Sequence, residues 1–468
     1  MLKKRLYITL SACLCIFSVK QSAGQTITLP QANISANSDY TVTSLIGPVI
    51  SLAVLPTFRV RSPTSNFTAD ITGETIPVSV ARPKLRSAGA VSLLGSSSEV
   101  TLSTTNANLY AAVASIGGGG TTLIDYRVIT AGTVWKAGTY RSNLQYSIVG
   151  IGNTVSPPAL DLVIDVPAFI SADVPPVSPA TITMDAIAKF RNNNGNNVTS
   201  PFTYSTTVIN QIALKTTTGG SAFTYTGTAA VPPVTAVNVV AVSSDVTSPA
   251  TFNLSGTNQL LNTSNLAVPA TNKSTITPTF TISRADLQTA FIQAGTYTIP
   301  LTYTISKPAA AYPTASTIST TTTVDLKVIT SDLAELVVAP SQPNITFNYN
   351  SAASYTQSNI VTRSGHLTLS KTTPYIVTVR ANAANLTLGV TTNQLPVNMI
   401  IIEPMAGQTG VNTITLSNAP QTLISASNPV IDRQINLQYR IPSSQNSNLV
   451  GKPSGTYDTT VTYTLVAP

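Results

Sequence analysis

The chain has 468 residues, of which 43% are hydrophobic and only 9% are charged, and its formal net charge is +8. Four of the positive charges (Lys3, Lys4, Arg5 and Lys20) lie close to the N-terminus, so the rest of the chain carries a net charge of only +4. This weak excess does not make the dense basic surface on which nucleic-acid binding depends, and we expect no nucleic-acid partner. The length indicates several domains rather than one.

The first residues have the pattern of a secretory signal. Three positive residues are followed by an apolar stretch over 6–19 and by small residues at 22–24, which predicts a signal peptide over 1–24. The apolar stretch is too short for a membrane span, and we expect no transmembrane helix in the mature chain. An alternative remains open: residues 10–13 resemble a bacterial lipobox, which would leave Cys13 lipidated.

Both cysteines, Cys13 and Cys15, lie inside this predicted signal. The exported chain would therefore have no disulfide, and its stability would rest on burial and on hydrogen bonds between strands. The remaining composition suits that structure, because Thr and Val favour strands while 31 Pro and 25 Gly favour the turns between them. We expect an all-β fold.

A repeat organises the chain. Gly-Thr-Tyr occurs three times, at spacings of 157 and 160 residues, and each copy is followed by an aliphatic residue and a second tyrosine in the same register. Apolar residues two apart share one face of a strand, so each copy predicts a half-buried strand that a glycine begins. The repeated residues are Gly138, Tyr140, Tyr146, Gly295, Tyr297, Tyr303, Gly455, Tyr457 and Tyr463.

The repeat predicts three tandem Ig-like antiparallel β-sandwich domains, over 25–158, 159–322 and 323–468. Alternating strands at 161–166 and 325–329 follow the first two copies, and we assign them to the start of the next domain. The alternative is that they complete the domain before them. The third domain would then lack its last strand, and its sheet edge would be open to a strand from another molecule, such as residues 25–29.

The third unit resembles spore coat protein U and related fimbrial-subunit families of bacteria. The resemblance rests on residues 347–350, 366–369, 374–379 and the closing strand over 455–465, and the first two units share mainly the closing strand. It implies an Ig-like sandwich, export and assembly into surface fibres or coats. Typical members are single domains with cysteines, whereas this chain has three units and no cysteine after the signal.

Residues with catalytic chemistry are few. His366 is the one histidine, and a lone histidine beside leucines in a strand is more typical of a structural role. The chain has no Gly-x-Ser-x-Gly motif near a strand-to-helix turn, and its glutamates are scattered without a shared context. We therefore predict no enzyme, no cofactor and no metal site.

Two candidate binding features each have a structural alternative. Trp135, the one tryptophan, could stack on a carbohydrate or could plug the end of a sandwich. A group of basic residues could hold an acidic polysaccharide or could be an ordinary solvated face; these residues are Arg59, Arg61, Arg82, Lys84 and Arg86.

Together these features indicate an exported protein of the bacterial cell surface, secreted or exposed outside the outer membrane, with a structural or adhesive, fimbria-like role. Its expected partners are other surface or fimbrial subunits, joined by strand exchange. The alternative is an extracellular array of carbohydrate-binding modules that captures polysaccharide.

Overall fold

The computed structural model describes residues 24–52, 54–89, 95–113, 118–176, 179–227 and 237–468. The predicted signal peptide, with its alternative at Cys13, lies outside these residues except for Gly24. Strands make up 51% of the described residues and helices 8%, so the all-β prediction is confirmed. Within the described ranges, no helix is long and apolar enough to span a membrane.

The buried apolar side chains form three clusters along the chain. The first is built from residues between Ile27 and Phe169, the second mainly from residues between Ile170 and Val328, and the third from residues between Leu367 and Ile441. We take these clusters as the cores of three units, over 25–166, 167–330 and 331–468.

The first unit consists of two sheets around its core. One has the strand order β1-β12-β10-β3-β8-β7, with β4 beside β10 and β5 beside β4, and the other has the order β11-β2-β9-β6. The strands are β1 (Gln25–Thr28), β2 (Tyr40–Leu52), β3 (Thr57–Arg61), β4 (Asn66–Ala69), β5 (Thr75–Pro77), β6 (Ala81–Ala88), β7 (Gly95–Ser97), β8 (Ala107–Ala112), β9 (Gly118–Val128), β10 (Gly138–Val149), β11 (Thr154–Ser156) and β12 (Ala159–Val166).

The second unit has three sheets, with the orders β13-β16-β22, β14-β25-β24-β17-β21 and β15-β23-β19-β20, and β18 pairs with β24. The strands are β13 (Ile170–Val174), β14 (Ala180–Met184), β15 (Asn196–Thr199), β16 (Phe202–Thr206), β17 (Gln211–Thr216), β18 (Thr224–Thr226), β19 (Val239–Val242), β20 (Phe252–Asn253), β21 (Gln259–Leu260), β22 (Lys273–Ile276), β23 (Thr279–Ile282), β24 (Gly295–Ser306) and β25 (Ser319–Thr330).

The third unit also has three sheets, with the orders β26-β27-β34-β31-β32, β33-β28-β36 and β30-β29-β35. The strands are β26 (Ala334–Val338), β27 (Asn359–Lys371), β28 (Tyr375–Ala381), β29 (Asn385–Leu388), β30 (Gln394–Pro396), β31 (Ile401–Pro404), β32 (Ile414–Thr415), β33 (Gln421–Ser427), β34 (Val430–Ile441), β35 (Tyr457–Asp458) and β36 (Val461–Val466).

Helices are short and lie between strands. The longest, α3, begins after Ser283, whose hydroxyl accepts a hydrogen bond from the Asp286 N–H and caps the helix. The α-helices are α1 (Gln31–Ala36), α2 (Ile187–Phe190) and α3 (Arg284–Ala290), and the 3₁₀ turns are Val78–Val80, Ala352–Tyr355, Val397–Met399 and Ser443–Asn448.

The predicted boundaries at 158/159 and 322/323 are wrong. Strand β12 pairs along its length with β10 of the first unit, and β25 pairs with β24 of the second. These strands therefore complete the units before them instead of opening the next ones. The reason is burial: Leu162, Ile164 and Leu326 are inside the core of the preceding unit.

We expect the core face of β24 to carry much of the second unit's stability. Leu301 is fully buried, so Leu301→Ala should lower the free energy of unfolding by about 2–5 kcal/mol. Hydrogen exchange of the β24 amides in increasing urea measures this, because these amides belong to the second unit. Thr304→Ala, on the opposite face of the same strand, is the matched control and should change stability by less than about 1 kcal/mol. Equal effects of both changes would contradict the assignment of faces.

Candidate functional site: an unpaired strand position in the third unit

Each unit has a closing strand: β10 and β24 begin with Gly-Thr-Tyr, and β36 begins six residues after the glycine of the third copy. In the first two units the closing strand is paired on both edges. Strand β10 lies between β12 and β3, and β24 lies between β25 and β17, in each case antiparallel to both neighbours. Both backbone edges are therefore hydrogen-bonded, as a strand inside a sheet requires.

The third closing strand is paired on one edge. Strand β36 pairs antiparallel with β28, which corresponds to β3 and β17 of the other units. On the edge where β12 and β25 lie in the first two units, β36 has no ladder partner among the described residues. The alternative in which the third unit lacks its last strand is therefore the one the strand pairing favours.

By correspondence with the other two units, we infer a second wall for this position. In the first two units the opening strand runs parallel to the last strand: β1 pairs with β12, and β14 pairs with β25. The sequences there are Thr-Ile-Thr-Leu over 26–29 and Thr-Ile-Thr-Met over 181–184. The third unit has the matching sequence Asn-Ile-Thr-Phe over 344–347, and these four residues belong to no strand.

We call the position between residues 344–347 and β36 the acceptor lane. Its two walls pack against the same core, since Ile345, Phe347, Val461, Tyr463 and Leu465 all lie against the third cluster. A last strand, running parallel to one wall and antiparallel to the other, occupies this position in the first two units.

Exposure of the walls differs from that of their counterparts. The corresponding apolar residues of the complete units are buried: Ile27, Leu301 and Tyr303 are at most 1% exposed. In the third unit, Phe347, Tyr463 and Leu465 are half-buried, and Val466 is 38% exposed. The acceptor lane is therefore lined by partly exposed apolar side chains. A strand that covered them would gain about 25 cal/mol of stabilisation for each Å² of apolar surface buried.

A buried polar group lies beneath β36. The hydroxyl groups of Tyr439 and Tyr463 are hydrogen-bonded to each other, and the ring of His366 packs edge-on against both, with ring centres 5.5 and 6.2 Å away. His366 is 2% exposed, and its Nδ1 atom has no hydrogen-bond partner. Burial lowers the pKa of His366, and the positive charge of Arg363 lowers it further.

The tyrosine pair titrates outside the physiological range. Burial raises the pKa of Tyr463 to about 12, and burial also raises that of Tyr439. His366 therefore sits among neutral phenols, with no carboxylate among the groups that shift its pKa. The described residues contain no group of three or more His, Cys, Asp or Glu side chains that could hold a metal ion.

The repeated glycines and tyrosines have common positions. All three glycines have positive φ values, at 154°, 146° and 149°, which favour glycine over other residues. The tyrosines of the first two units are buried in the cores, whereas Tyr457 and Tyr463 of the third are half-buried. The repeat predicted that these residues share one strand face. It did not reveal the wall at 344–347, although the sequence has the Ile-Thr-apolar pattern there.

The side chain of Trp135 is enclosed. It is 1% exposed, its Nε1–H donates to the carbonyl of Thr130 at 3.1 Å, and it belongs to the core of the first unit. Its ring is therefore buried in that core and is not exposed for stacking on a carbohydrate.

The basic residues of the first unit do not form one patch. Arg59 and Arg61 lie on β3, whereas Arg82, Lys84 and Arg86 lie on β6 of the other sheet. Arg82 and Arg86 are paired with Glu99 and Asp125. These residues therefore belong to two solvated faces instead of one polysaccharide site.

A cleft of about 590 Å³ lies between the first two units. Lys136 and Glu74 form an ion pair of 2.7 Å in its wall, and Ile209, Ala267 and Val268 supply apolar surface. Tyr140, the aromatic residue of the lining, is fully buried. The lining therefore offers no exposed ring on which a sugar could stack.

No family model matches the chain, and no curated protein matches it either. Solved structures give loose matches. CfaE, the adhesive subunit of CFA/I fimbria of enterotoxigenic Escherichia coli, is 8% identical with a TM-score of 0.27, and the match covers 66% of this chain and 98% of that one. The CsuC-CsuE chaperone-tip adhesion subunit pre-assembly complex from Acinetobacter baumannii matches at 15% identity and a TM-score of 0.30, over 63% and 99%.

The CupB6 tip adhesin from Pseudomonas aeruginosa matches at 11% identity and a TM-score of 0.24, over 63% of this chain and 91% of that one. Identities and TM-scores this low transfer neither a function nor a partner to this chain.

We expect the stability of the third unit to fall as the pH is lowered from 7 to 5. The pKa of His366 is below its ordinary value of 6.5 in the folded state, so the unfolded chain takes up a proton first. As the pH falls below 6.5, the unfolded chain binds a proton at His366 while the folded chain does not, and the free energy of unfolding falls. The loss approaches about 1.4 kcal/mol for each pH unit between 6.5 and the lower pKa of the folded state. Urea denaturation at several pH values measures the loss.

His366→Phe is the matched variant, because it keeps an aromatic ring against Tyr439 and Tyr463 and removes the titration. Its stability should be flat between pH 7 and 5, since the chain has no other histidine. An equal fall in the wild type and in the variant would show that another group is responsible.

Proposed function

We propose that this chain is an exported bacterial surface protein with a structural or adhesive role in a fimbria-like assembly, and that its third unit accepts a strand from another subunit. The observation that supports the proposal is the acceptor lane, in which two apolar walls flank a position that a strand fills in both other units. Adding a strand to such an edge joins proteins through backbone hydrogen bonds and side-chain pockets. The proposed role involves no catalysis.

The two complete units define the direction of the incoming strand. Both β12 and β25 run antiparallel to the closing strand and parallel to the opening strand. The incoming strand should do the same. It would run antiparallel to β36 and parallel to residues 344–347.

The second unit also defines the register. In β25, Val324, Leu326 and Val328 face the core and lie opposite Leu301, Ile299 and Tyr297. The matching residues of the third unit, counted from the repeated glycine, are Val461, Thr459 and Tyr457. A fitting strand therefore has three apolar residues at alternate positions, opposite these three residues, with polar residues between them.

Residues 25–29, suggested by the sequence as the exchanged strand, are not free to leave the first unit. Residues 25–28 are β1, which is paired with β12. Gln25 is buried, where its amide donates to the Ile46 carbonyl and its Oε1 atom accepts from the hydroxyl groups of Tyr126 and Tyr146. Release would leave these buried groups without partners. We therefore propose that the incoming strand comes from elsewhere.

A synthetic peptide tests the proposal. The peptide Ser319–Thr330, which is the sequence of β25, should bind the mature chain and raise its melting temperature by about 2–8 °C at saturation. Fluorescence anisotropy of the labelled peptide measures binding, and calorimetry measures the shift.

Two altered peptides are the controls. Val324→Ser, Leu326→Ser and Val328→Ser together remove the core-facing side chains and should abolish binding. Thr323→Ser, Asp325→Asn and Lys327→Gln change only the outward face and should leave binding nearly unchanged. The proposal fails if the native peptide does not bind, or if all three peptides bind equally.

A further inference from the structure

Both junctions between units use the same backbone hydrogen bond. The residue before the repeated glycine donates its N–H to a threonine carbonyl of the next unit: Ala137 donates to Thr207 at 2.8 Å, and Ala294 donates to Thr372 at 2.7 Å. The donors are 157 residues apart and the acceptors 165 apart, so this bond recurs with the repeat.

The two threonines are held in the same way. The Oγ1 atom of Thr207 accepts from the Phe169 N–H at 3.1 Å and donates to the Pro167 carbonyl at 2.7 Å. That of Thr372 accepts from the Leu333 N–H and donates to the Ser331 carbonyl, both at 2.7 Å. Each hydroxyl therefore fixes the turn to the segment that enters its unit, and this aims the threonine carbonyl at the preceding unit.

The donor loops are also alike. The first tyrosine of each repeat folds back and donates its hydroxyl to the carbonyl four residues earlier: Tyr140 to Lys136, and Tyr297 to Gln293, both at 2.9 Å. Together with the positive φ of the glycine, this bond shapes the loop that presents the junction N–H.

The third unit has the same loop. Tyr457 donates to the Pro453 carbonyl at 3.1 Å, and Gly455 has a φ of 149°. Ser454 corresponds to Ala137 and Ala294, and its N–H has no acceptor among the described residues. Residues 450–456 are exposed, and Val450 is 71% exposed. The loop therefore has the same tyrosine hydrogen bond and the same glycine conformation as the loops at Ala137 and Ala294.

This loop lies where an incoming strand would end. In the complete units the last strand finishes opposite the repeated glycine, with Val166 facing Gly138 and Thr330 facing Gly295. Within three residues, at Phe169 and Leu333, the backbone is hydrogen-bonded to the next unit. A strand in the acceptor lane would therefore finish opposite Gly455, and the body of its own subunit would follow directly beside Ser454.

We propose that residues 449–455, the Ser454 loop, form a docking surface for the subunit that supplies the strand. This inference rests on the proposed function. The partner is a like-built sandwich that presents a threonine turn equivalent to those of Thr207 and Thr372. Its threonine carbonyl accepts the Ser454 N–H, so the new junction repeats the two inside the chain.

A second copy of this chain does not fit that description. Thr207 lies five residues before Ile212, which pairs with Ile305 of the closing strand. Thr372 lies five residues before Val377, which pairs with Leu465 of its closing strand. Ile305 and Leu465 occupy the same position of the repeat. In the first unit the matching pair is Phe58 with Ile148, and the fifth residue before Phe58 is Ala53, which lies outside the described residues. Alanine has no hydroxyl, so the first unit lacks the threonine that the docking surface requires, and the partner is a different subunit.

Hydrogen exchange tests the inference in three samples: the free mature chain, the chain with the Ser319–Thr330 peptide, and the chain in surface fibres isolated from the cells that produce it. In the free chain the Ser454 amide should exchange fast, while those of Ala137 and Ala294 are protected. The peptide should protect β36 and leave Ser454 unprotected. In fibres, Ser454 should be protected at least about tenfold.

A pair of variants tests the hydrogen bond itself. Proline has no N–H, so Ser454→Pro removes the donor, whereas Ser454→Ala keeps it. Ser454→Pro should bind the peptide normally and enter fibres at least about tenfold less than the wild type, and Ser454→Ala should enter fibres normally.

The outcomes separate the two proposals. If β36 is protected in fibres while Ser454 exchanges fast, or if both variants enter fibres equally, the docking surface is wrong and the acceptor lane stands. If the peptide does not bind and the chain is found only outside fibres, both proposals fail.

Discussion

The structure depends on covering both edges of the closing strand. Tyr297, Ile299 and Leu301 face the core at period two, and the strand that carries them has β17 and β18 on one side and β25 on the other. A strand at a sheet edge leaves a row of backbone groups unpaired and half of its apolar face uncovered. The first two units solve this with a strand of their own chain, and the third leaves the same position unpaired among the described residues.

The Gly-Thr-Tyr repeat serves two structural purposes at once. As the start of the closing strand, it places tyrosines on the core face. As the end of the preceding loop, it sets the direction of the N–H of the residue before the glycine. The glycine adopts a positive φ, and the tyrosine hydroxyl donates a hydrogen bond to a carbonyl of the loop. This explains why Tyr457 makes its hydrogen bond in a unit whose closing strand is only half covered.

Local patterns predicted the fold class, the repeat and the strand faces, because a period of two can be read from neighbouring residues alone. The pairing between distant strands could not be predicted from these local patterns. Residues 161–166 alternate equally well whether they pair backwards with β10 or forwards with the next unit, and only burial of Leu162 and Ile164 in the first core decides between them. For the same reason Arg59 and Arg82 seemed to share a patch, although their strands lie in different sheets.

Besides the shared backbone hydrogen bond, each junction has side-chain hydrogen bonds that the other junction lacks. At the first, the Asn272 amide accepts from the Trp135 N–H and donates to its carbonyl. At the second, Arg191 is hydrogen-bonded to Glu335 and to Asp432, at 2.6 Å for the latter. Partly buried pairs of this kind favour one neighbour over others more than they add stability. The shared backbone hydrogen bond therefore determines how two units are oriented, and the side-chain hydrogen bonds particular to each junction determine which units pair. The Ser454 loop already has the first part, so the identity of its neighbour must be decided by side chains that the neighbour brings.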